Sequence, residues 1–151
     1  MSLVTREIAG LIIGIRTDND KIIEISINET NGVDESVSPL HLEGFRQLEE
    51  YFAKKRKVFD LPLEMRGSAF QKKVWLALQQ IPYGSVCSYQ DIARLVGSEK
   101  AVRAVGSANG KNPLPIVVPC HRVIQKNGQL GGYSGGIDIK IQLLKLERDQ
   151  V

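Results

Sequence analysis

Residues 117–124 read VVPCHRVI, which sets a thiol, Cys120, directly beside an imidazole, His121, at the end of an apolar run. A thiolate is a strong nucleophile, and a neutral imidazole is a common base for making one. Neighbours in sequence do not face one another on a helix or a strand. For His121 to act on Cys120, the backbone must turn between them or a water must bridge them, and a bridging water is expected. Pro119 has a fixed φ and no amide proton, so it is tolerated at the first position of a helical turn. That would put Cys120 near an N-terminus, where free amides and the dipole favour a thiolate. Glu147 supplies a third member. It follows Leu143 and Leu144 by four and three residues in IDIKIQLLKLERD, so a helix there turns it partly into the apolar face. A buried carboxylate needs a partner, and an imidazole whose tautomer it fixes is a suitable one. Cys120, His121 and Glu147 thus read as nucleophile, base and orienter. The other cysteine, Cys87, has no such neighbours and reads as a small packed apolar group.

These residues need elements to hold them. LVTREIA, LIIGI and KIIEISIN are short and Ile-rich, with Ile23, Ile25 and Ile27 alternating against polar neighbours. Gly10 and TDND supply turns, and a small antiparallel sheet is expected. From the capping residue Ser38 and Pro39 the pattern turns helical as far as Arg56, with Leu42, Phe45, Leu48 and Phe52 as its apolar stripe. KVFDLPLEM connects this to a mainly helical second part. There Ser68 caps a helix whose face is Phe70, Val74, Ala77, Leu78 and Ile81, and PYG at 82–84 ends it. SYQDIARLVG and SEKAVRAVGSANG read as two short helices about a Gly-Ser turn, the pattern of a helix-turn-helix. NPLPIVV is held extended by two X-Pro steps, KNGQLGGYSGG is a glycine-rich loop, and a closing helix carries Glu147. The expected class is α+β. Residues 1–62 form a sheet-plus-helix domain, and residues 63–151 form a mainly helical domain containing the helix-turn-helix.

Length and composition set limits. At 151 residues the chain suits one compact unit or two small packed ones. Its 42% hydrophobic and 25% charged residues argue against disorder. No apolar run approaches the ~20 residues that cross a bilayer. No basic-then-apolar leader precedes the first strand, so a cytoplasmic protein with reduced thiols is expected. Two cysteines make no disulfide framework. With His41 and His121 they show no paired zinc-ligand spacing, and no metal or cofactor is expected. Charge is uneven: residues 1–60 hold 8 basic and 11 acidic side chains, residues 61–151 hold 12 and 6. The basic second part suits a polyanion partner.

NPLPIVVPCHRVI, followed by GGYSGG and LLKLE, closely resembles the O6-alkylguanine-DNA alkyltransferases, also called methylated-DNA–protein-cysteine methyltransferases. PCHRV is that family's reactive-cysteine signature, and SYQDIA with AVRAVGSANGKNP resembles its DNA-binding helix-turn-helix. The likeness is strong over residues 66–148; before them it extends only to the layout of strands, then helix. It implies DNA repair by direct reversal. An alkyl group passes from O6 of a guanine flipped out of double-stranded DNA to Cys120, once per molecule. A monomer that needs no cofactor and no membrane is expected. By position, the resemblance implies Cys120 as acceptor, His121 as base through water, Glu147 as its orienter, Asn112 as brace of the active-site turn and Tyr89 as proton donor to the departing guanine. It implies Tyr133, Ser134, Val123 and Gly135 as the substrate pocket. It implies Arg103, Ala104, Gly106, Ser88, Lys111 and Arg122 as DNA contacts. Arg103 would enter the stack where the guanine leaves, and the small Ala104 and Gly106 would let the helix approach the minor groove. Without the resemblance, Gly106 reads equally as a site of tight packing. The zinc ligands of some members' N-terminal parts are not recognisable.

A cysteine of pKa about 8.5 is about 3% thiolate at pH 7, and a pKa of about 5 raises that roughly thirtyfold. The accompanying fall in nucleophilicity removes roughly a factor of 25–55. In-line positioning, about 7–11 kcal/mol in favourable systems, and protonation of the leaving guanine must then carry the rate. Two other classes use parts of the same pattern. A cysteine hydrolase also pairs Cys with His, but turns over. A non-catalytic lesion binder or transcription regulator would use the helix-turn-helix and leave Cys120 unmodified.

Overall fold

The computed structural model of the protein describes residues 2–30, 32, 36–133 and 135–148. The architecture is α+β, and the chain divides into two compact units, Met1–Arg66 and Gly67–Val151. In the first, β1 (Ser2–Ile8), β2 (Leu11–Asp18) and β3 (Lys21–Ile27) form an antiparallel meander. Both hairpins turn in two residues, Ala9-Gly10 and Asn19-Asp20, with positive φ at all four. That geometry matches the twist of the flanking strands. The alternation expected in β3 is broken by a bulge. Arg16 pairs with Glu24 and Thr17 with Ile22, which leaves Ile23 as the extra residue. Ile22 and Ile25 are therefore the deeply buried positions, and Ile27 is only half-buried.

Helix α1 (Pro39–Phe52) starts at Ser38, in a capping box completed by His41. It ends at Phe52 rather than Arg56, and Lys54 turns the chain at φ +64. Its buried stripe is out of phase with the one expected: His41, Gly44, Phe45, Leu48 and Tyr51 face inward, whereas Leu42 is 50% exposed. A Cβ on Gly44 would lie 2.6 Å from Ile15 Cδ1. The helix meets the sheet through a residue that a hydrophobic pattern does not register. The connector adds to β3: Ile22 N–H donates to Pro62 O at 2.8 Å and Glu64 N–H to Ile22 O at 3.0 Å. This pairing carries the first unit to Arg66, past the boundary expected at residue 62.

The second unit opens with α2 (Ala69–Leu78), capped by Ser68 with Gln71 reaching back. It buries Val74, Trp75, Ala77 and Leu78; Phe70 is only half-buried. Then come β4 (Cys87–Ser88), α3 (Tyr89–Leu95), α4 (Val102–Gly110), β5 (Val123–Ile124) and α5 (Ile137–Arg148). The indole Nε1–H of Trp75 donates to Ala108 O at 2.8 Å, tying α2 to α4. Helices α3 and α4 follow one another across a turn with Gly97 at φ +76, and they pack together. The parallel pairing of β4 with β5 was not expected; it sets Cys87 beside Val123 and Ser88 beside Ile124. Among the described residues no helix is long and apolar enough to cross a membrane.

Candidate active site

Cys120 lies in a tightly braced turn. Pro119, at φ −82 and ψ 66, forms an inverse γ-turn, and the Cys120 amide donates across it to Val118 O at 2.8 Å. A three-residue 3-10 turn, Cys120–Arg122, follows, and Val123 N–H returns to Cys120 O. Cys120 thus opens a turn, as its expected place near an N-terminus requires, but Pro119 precedes that turn rather than starting it, and the cysteine's own N–H is already used. Asn112 holds the approach, with Nδ2–H donating to Val118 O at 2.8 Å and Oδ1 accepting from Leu114 N–H at 2.9 Å. Within this loop buried Ile116 sits at φ +75, a strained conformation for a β-branched residue.

The imidazole's Nε2 is directed at the closing helix. His121 Nε2 lies 2.7 Å from Glu147 Oε2, with both side chains buried. A carboxylate only accepts, so the Nε2 proton belongs to His121. Burial holds this imidazole below its ordinary pKa, against the pull of Glu147. It is neutral at pH 7, with a lone pair on Nδ1. That Nδ1 is buried and has no hydrogen-bond partner among the described residues. Glu147 also accepts from Arg122 Nε at 2.8 Å, Arg122 Nη2 at 2.9 Å and Gly84 N–H at 3.4 Å. Arg122 Nη1 donates to Ile81 O at 2.8 Å, and its guanidinium lies over the Tyr83 ring. This corrects the expectation of Arg122 as a DNA contact. It is 6% exposed, and all three of its nitrogens donate inward, two to Glu147 and one to a backbone carbonyl. Its work is to orient the carboxylate that orients His121.

Burial pushes the Cys120 thiol above the ordinary cysteine range; the side chains of Asn112, Lys140 and Tyr133 oppose that rise. Lys140 is a fully buried cation on α5, two turns before Glu147 on the same inward face. Its Nζ donates to Val123 O at 2.8 Å, to Leu130 O, and to Gly132 O at 3.2 Å. One ammonium thus fastens β5 and the glycine-rich loop together near the sulfur. Tyr133 Oη is buried beside the Cys120 thiol; burial first, then the charge and hydrogen bonding of Cys120, raise its pKa. Tyr89, the first residue of α3, is raised by burial and the charge of Cys120, which places it within electrostatic reach of the thiol. Gly131, at φ +69, passes over it: a Cβ there would lie 2.9 Å from Tyr89 Oη. Val123 is fully buried, Gly135 is partly exposed, and Ser134 lies outside the described residues.

On α4 the exposed positions are Arg103, Ala104, Ser107 and Gly110, continued by Lys111: one stripe with a cation near each end. Gly106 is half-buried beside it, and a Cβ there would meet only Tyr89 Cδ1, at 4.0 Å. Tight packing is therefore not what this glycine serves. Ser88 is the N-cap of α3. Its hydroxyl accepts from Asp91 N–H at 3.0 Å, and its own N–H donates to Asp91 Oδ2 at 2.9 Å.

Residues 69–149 match the family model described as the DNA binding domain of 6-O-methylguanine DNA methyltransferase. The chain belongs to this family. A relative from Bacillus subtilis (strain 168), a constitutive methylated-DNA–protein-cysteine methyltransferase, is 51% identical over 144 residues, covering 89% of this chain and 87% of its own. A methylated-DNA–protein-cysteine methyltransferase from Methanosarcina acetivorans is 57% identical over 105 residues, 70% of this chain and 67% of its own. The crystal structure of Mycobacterium tuberculosis OGT in complex with DNA superposes with a TM-score of 0.91 at 38% identity, covering 100% of this chain and 95% of that one.

As a member of the 6-O-methylguanine DNA methyltransferases, the protein brings Cys120, His121, Glu147, Asn112, Tyr89 and Tyr133 into one neighbourhood, while Arg103, Ala104 and Lys111 lie on an outer helix face. Sequence reasoning missed Lys140, Asn109 and the true place of Arg122. A lysine between two isoleucines on the inward face of an otherwise apolar helix stripe was the available signal for the first.

Proposed function

We propose that this protein repairs DNA by moving an alkyl group from O6 of guanine to Cys120 Sγ, once per molecule. The observation that carries the reading is the buried His121–Glu147 pair, 2.7 Å apart, with the unpaired Nδ1 of a neutral imidazole next in sequence to the cysteine. The substrate and reaction class are those in the names of its relatives.

His121 draws the thiol proton onto Nδ1 through a water. Sγ then bonds to the alkyl carbon as that carbon's bond to O6 breaks, and the electron pair leaves with the base. Tyr89 gives its phenolic proton to the guanine, and the imidazolium returns a proton to Tyr89. The thiol proton has thus moved to guanine, and the products are an S-alkylcysteine and repaired DNA. A thioether does not hydrolyse, so the reaction stops at one equivalent. Because burial raises the thiol, the protein rests as Cys120–SH. The developing thiolate meets Asn112, the Lys140 charge and Tyr133, which stabilise it in place.

The base must leave the duplex to reach a buried sulfur, at a cost of a few kcal/mol. We assign that work to the α3–α4 pair acting as a helix-turn-helix in the minor groove. Arg103 fills the gap, Ala104 and Gly106 allow close approach, and Lys111 meets phosphate. Tyr133, Ser134 and Gly135 hold the base. The first domain supports the second, and two free thiols suit work in the cytoplasm. The test is incubation with duplex DNA carrying tritium in the methyl group of O6-methylguanine. The parent protein takes up one equivalent; Cys120→Ala takes up none and still binds DNA. Label on the alanine variant, or repeated turnover by the parent, overturns the reading.

A further inference from the structure

The mechanism leaves Asn109 without a role. It lies in the last turn of α4, is 4% exposed, and donates from Nδ2 to Cys120 O at 3.4 Å. Its Oδ1 is buried with no hydrogen-bond partner among the described residues. Together with Asn112 it completes a symmetrical brace. Val118 O accepts from Cys120 N–H and Asn112 Nδ2; Cys120 O accepts from Val123 N–H and Asn109 Nδ2. The carbonyl that Asn109 holds belongs to the peptide joining Cys120 to His121, so its direction sets the course of both side chains. The same helix exposes Arg103 six residues earlier, about 9 Å along its axis.

This contact differs from packing in two respects. With the amide reversed, Oδ1 would oppose the Cys120 carbonyl, acceptor against acceptor, so Nδ2 is the atom that belongs there. A buried amide with one end unpaired is also worse for stability than an apolar side chain of similar shape. Leucine would serve packing better. We propose that Asn109 is a positioning residue for alkyl transfer: through the Cys120 carbonyl it sets thiol and imidazole relative to the helix that meets DNA. The proposal rests on Cys120 being the alkyl acceptor.

The test measures single-turnover rate constants for the parent, Asn109→Leu and Asn109→Asp. Each is assayed with free O6-benzylguanine and with duplex O6-methylguanine, alongside Tm and DNA affinity. Asn109→Leu keeps or raises Tm, binds DNA within twofold of the parent, and reacts about tenfold more slowly with both substrates, since small misplacements near reacting atoms are costly. Asn109→Asp turns a carboxylate oxygen to the Cys120 carbonyl and is slower still at pH 8. Its rate relative to the parent recovers as pH falls, because the protonated carboxyl donates where the amide did. A rate within twofold of the parent in a stable Asn109→Leu overturns the proposal, as does a loss confined to duplex DNA. If the leucine variant does not fold, the aspartate decides: a ratio to the parent that is flat with pH overturns it. A parent inert on both substrates overturns the alkyl-transfer reading itself, a different outcome from a reactive parent matched by its variant.

Discussion

His121 gains its meaning from one bond and one omission. Glu147 takes the Nε2 proton, and nothing described takes Nδ1. Burial depresses the folded imidazole below its ordinary value. In the unfolded chain it binds a proton near pH 6.5. Below that pH the unfolded state holds a proton that the native state refuses. The stabilisation from neutral His121 is thus fully present above about pH 6.5 and is lost as pH falls from there toward the folded pKa. Tm should fall between pH 7.5 and 5.5, and more steeply in the parent than in His121→Gln; equal slopes would assign the acid loss to other groups. Arg122 shows why residue type alone misleads at this scale. An arginine after the reactive motif suits phosphate, but a guanidinium bonded to the same carboxylate as the imidazole is a buried orienter. Nothing in CHRV distinguishes the two, because the deciding partner lies 25 residues away.

At the scale of the element, α4 carries three kinds of work on three sides. Val105 and Ala108 are buried in the core, Asn109 touches the reactive turn, and Arg103, Ala104 and Ser107 face out. Gly106 costs such a helix about 1 kcal/mol relative to Ala. Since a Cβ there would make only an ordinary contact with Tyr89, Gly106→Ala should raise Tm by a few degrees and leave the reaction with free O6-benzylguanine within twofold. It should weaken binding to duplex DNA, read by fluorescence anisotropy. Unchanged affinity would remove the close-approach role. Gly131 is the contrast: its positive φ and its closeness to Tyr89 Oη require glycine for the fold itself. Capping was legible in advance at Ser38 and Ser68, since a cap acts on neighbours three residues away. The phase of α1 was not, because Gly44 and His41 enter its buried face through contacts with the sheet and the cap.

At the scale of the molecule, a cysteine 1% exposed must meet a base that starts inside a duplex. On the proposed function, extrusion and transfer are separable steps, and Arg103 is assigned to the first. Arg103→Ala should slow repair of duplex O6-methylguanine at least tenfold while leaving the reaction with free O6-benzylguanine nearly intact. Equal losses on both substrates would place Arg103 in the chemistry instead. The basic balance of residues 61–151 belongs to this scale too, because net charge speaks to partners and not to fold.

The order of the first three strands and of the helices, the caps at Ser38 and Ser68, the Cys–His adjacency and the family were all determined by the sequence alone. Each depends on residue types acting on near neighbours or on a contiguous motif. The tertiary structure decided the rest: that the Cys120 amide is already bonded, that Arg122 serves Glu147, that Lys140 clasps three carbonyls, and that Asn109 reaches the Cys120 carbonyl. Apart from the Cys120 amide, bonded two residues back to Val118, those roles are hydrogen bonds between residues 8 to 25 apart in the chain. Which donor meets which acceptor is set by how helices and turns pack, and no local propensity encodes it.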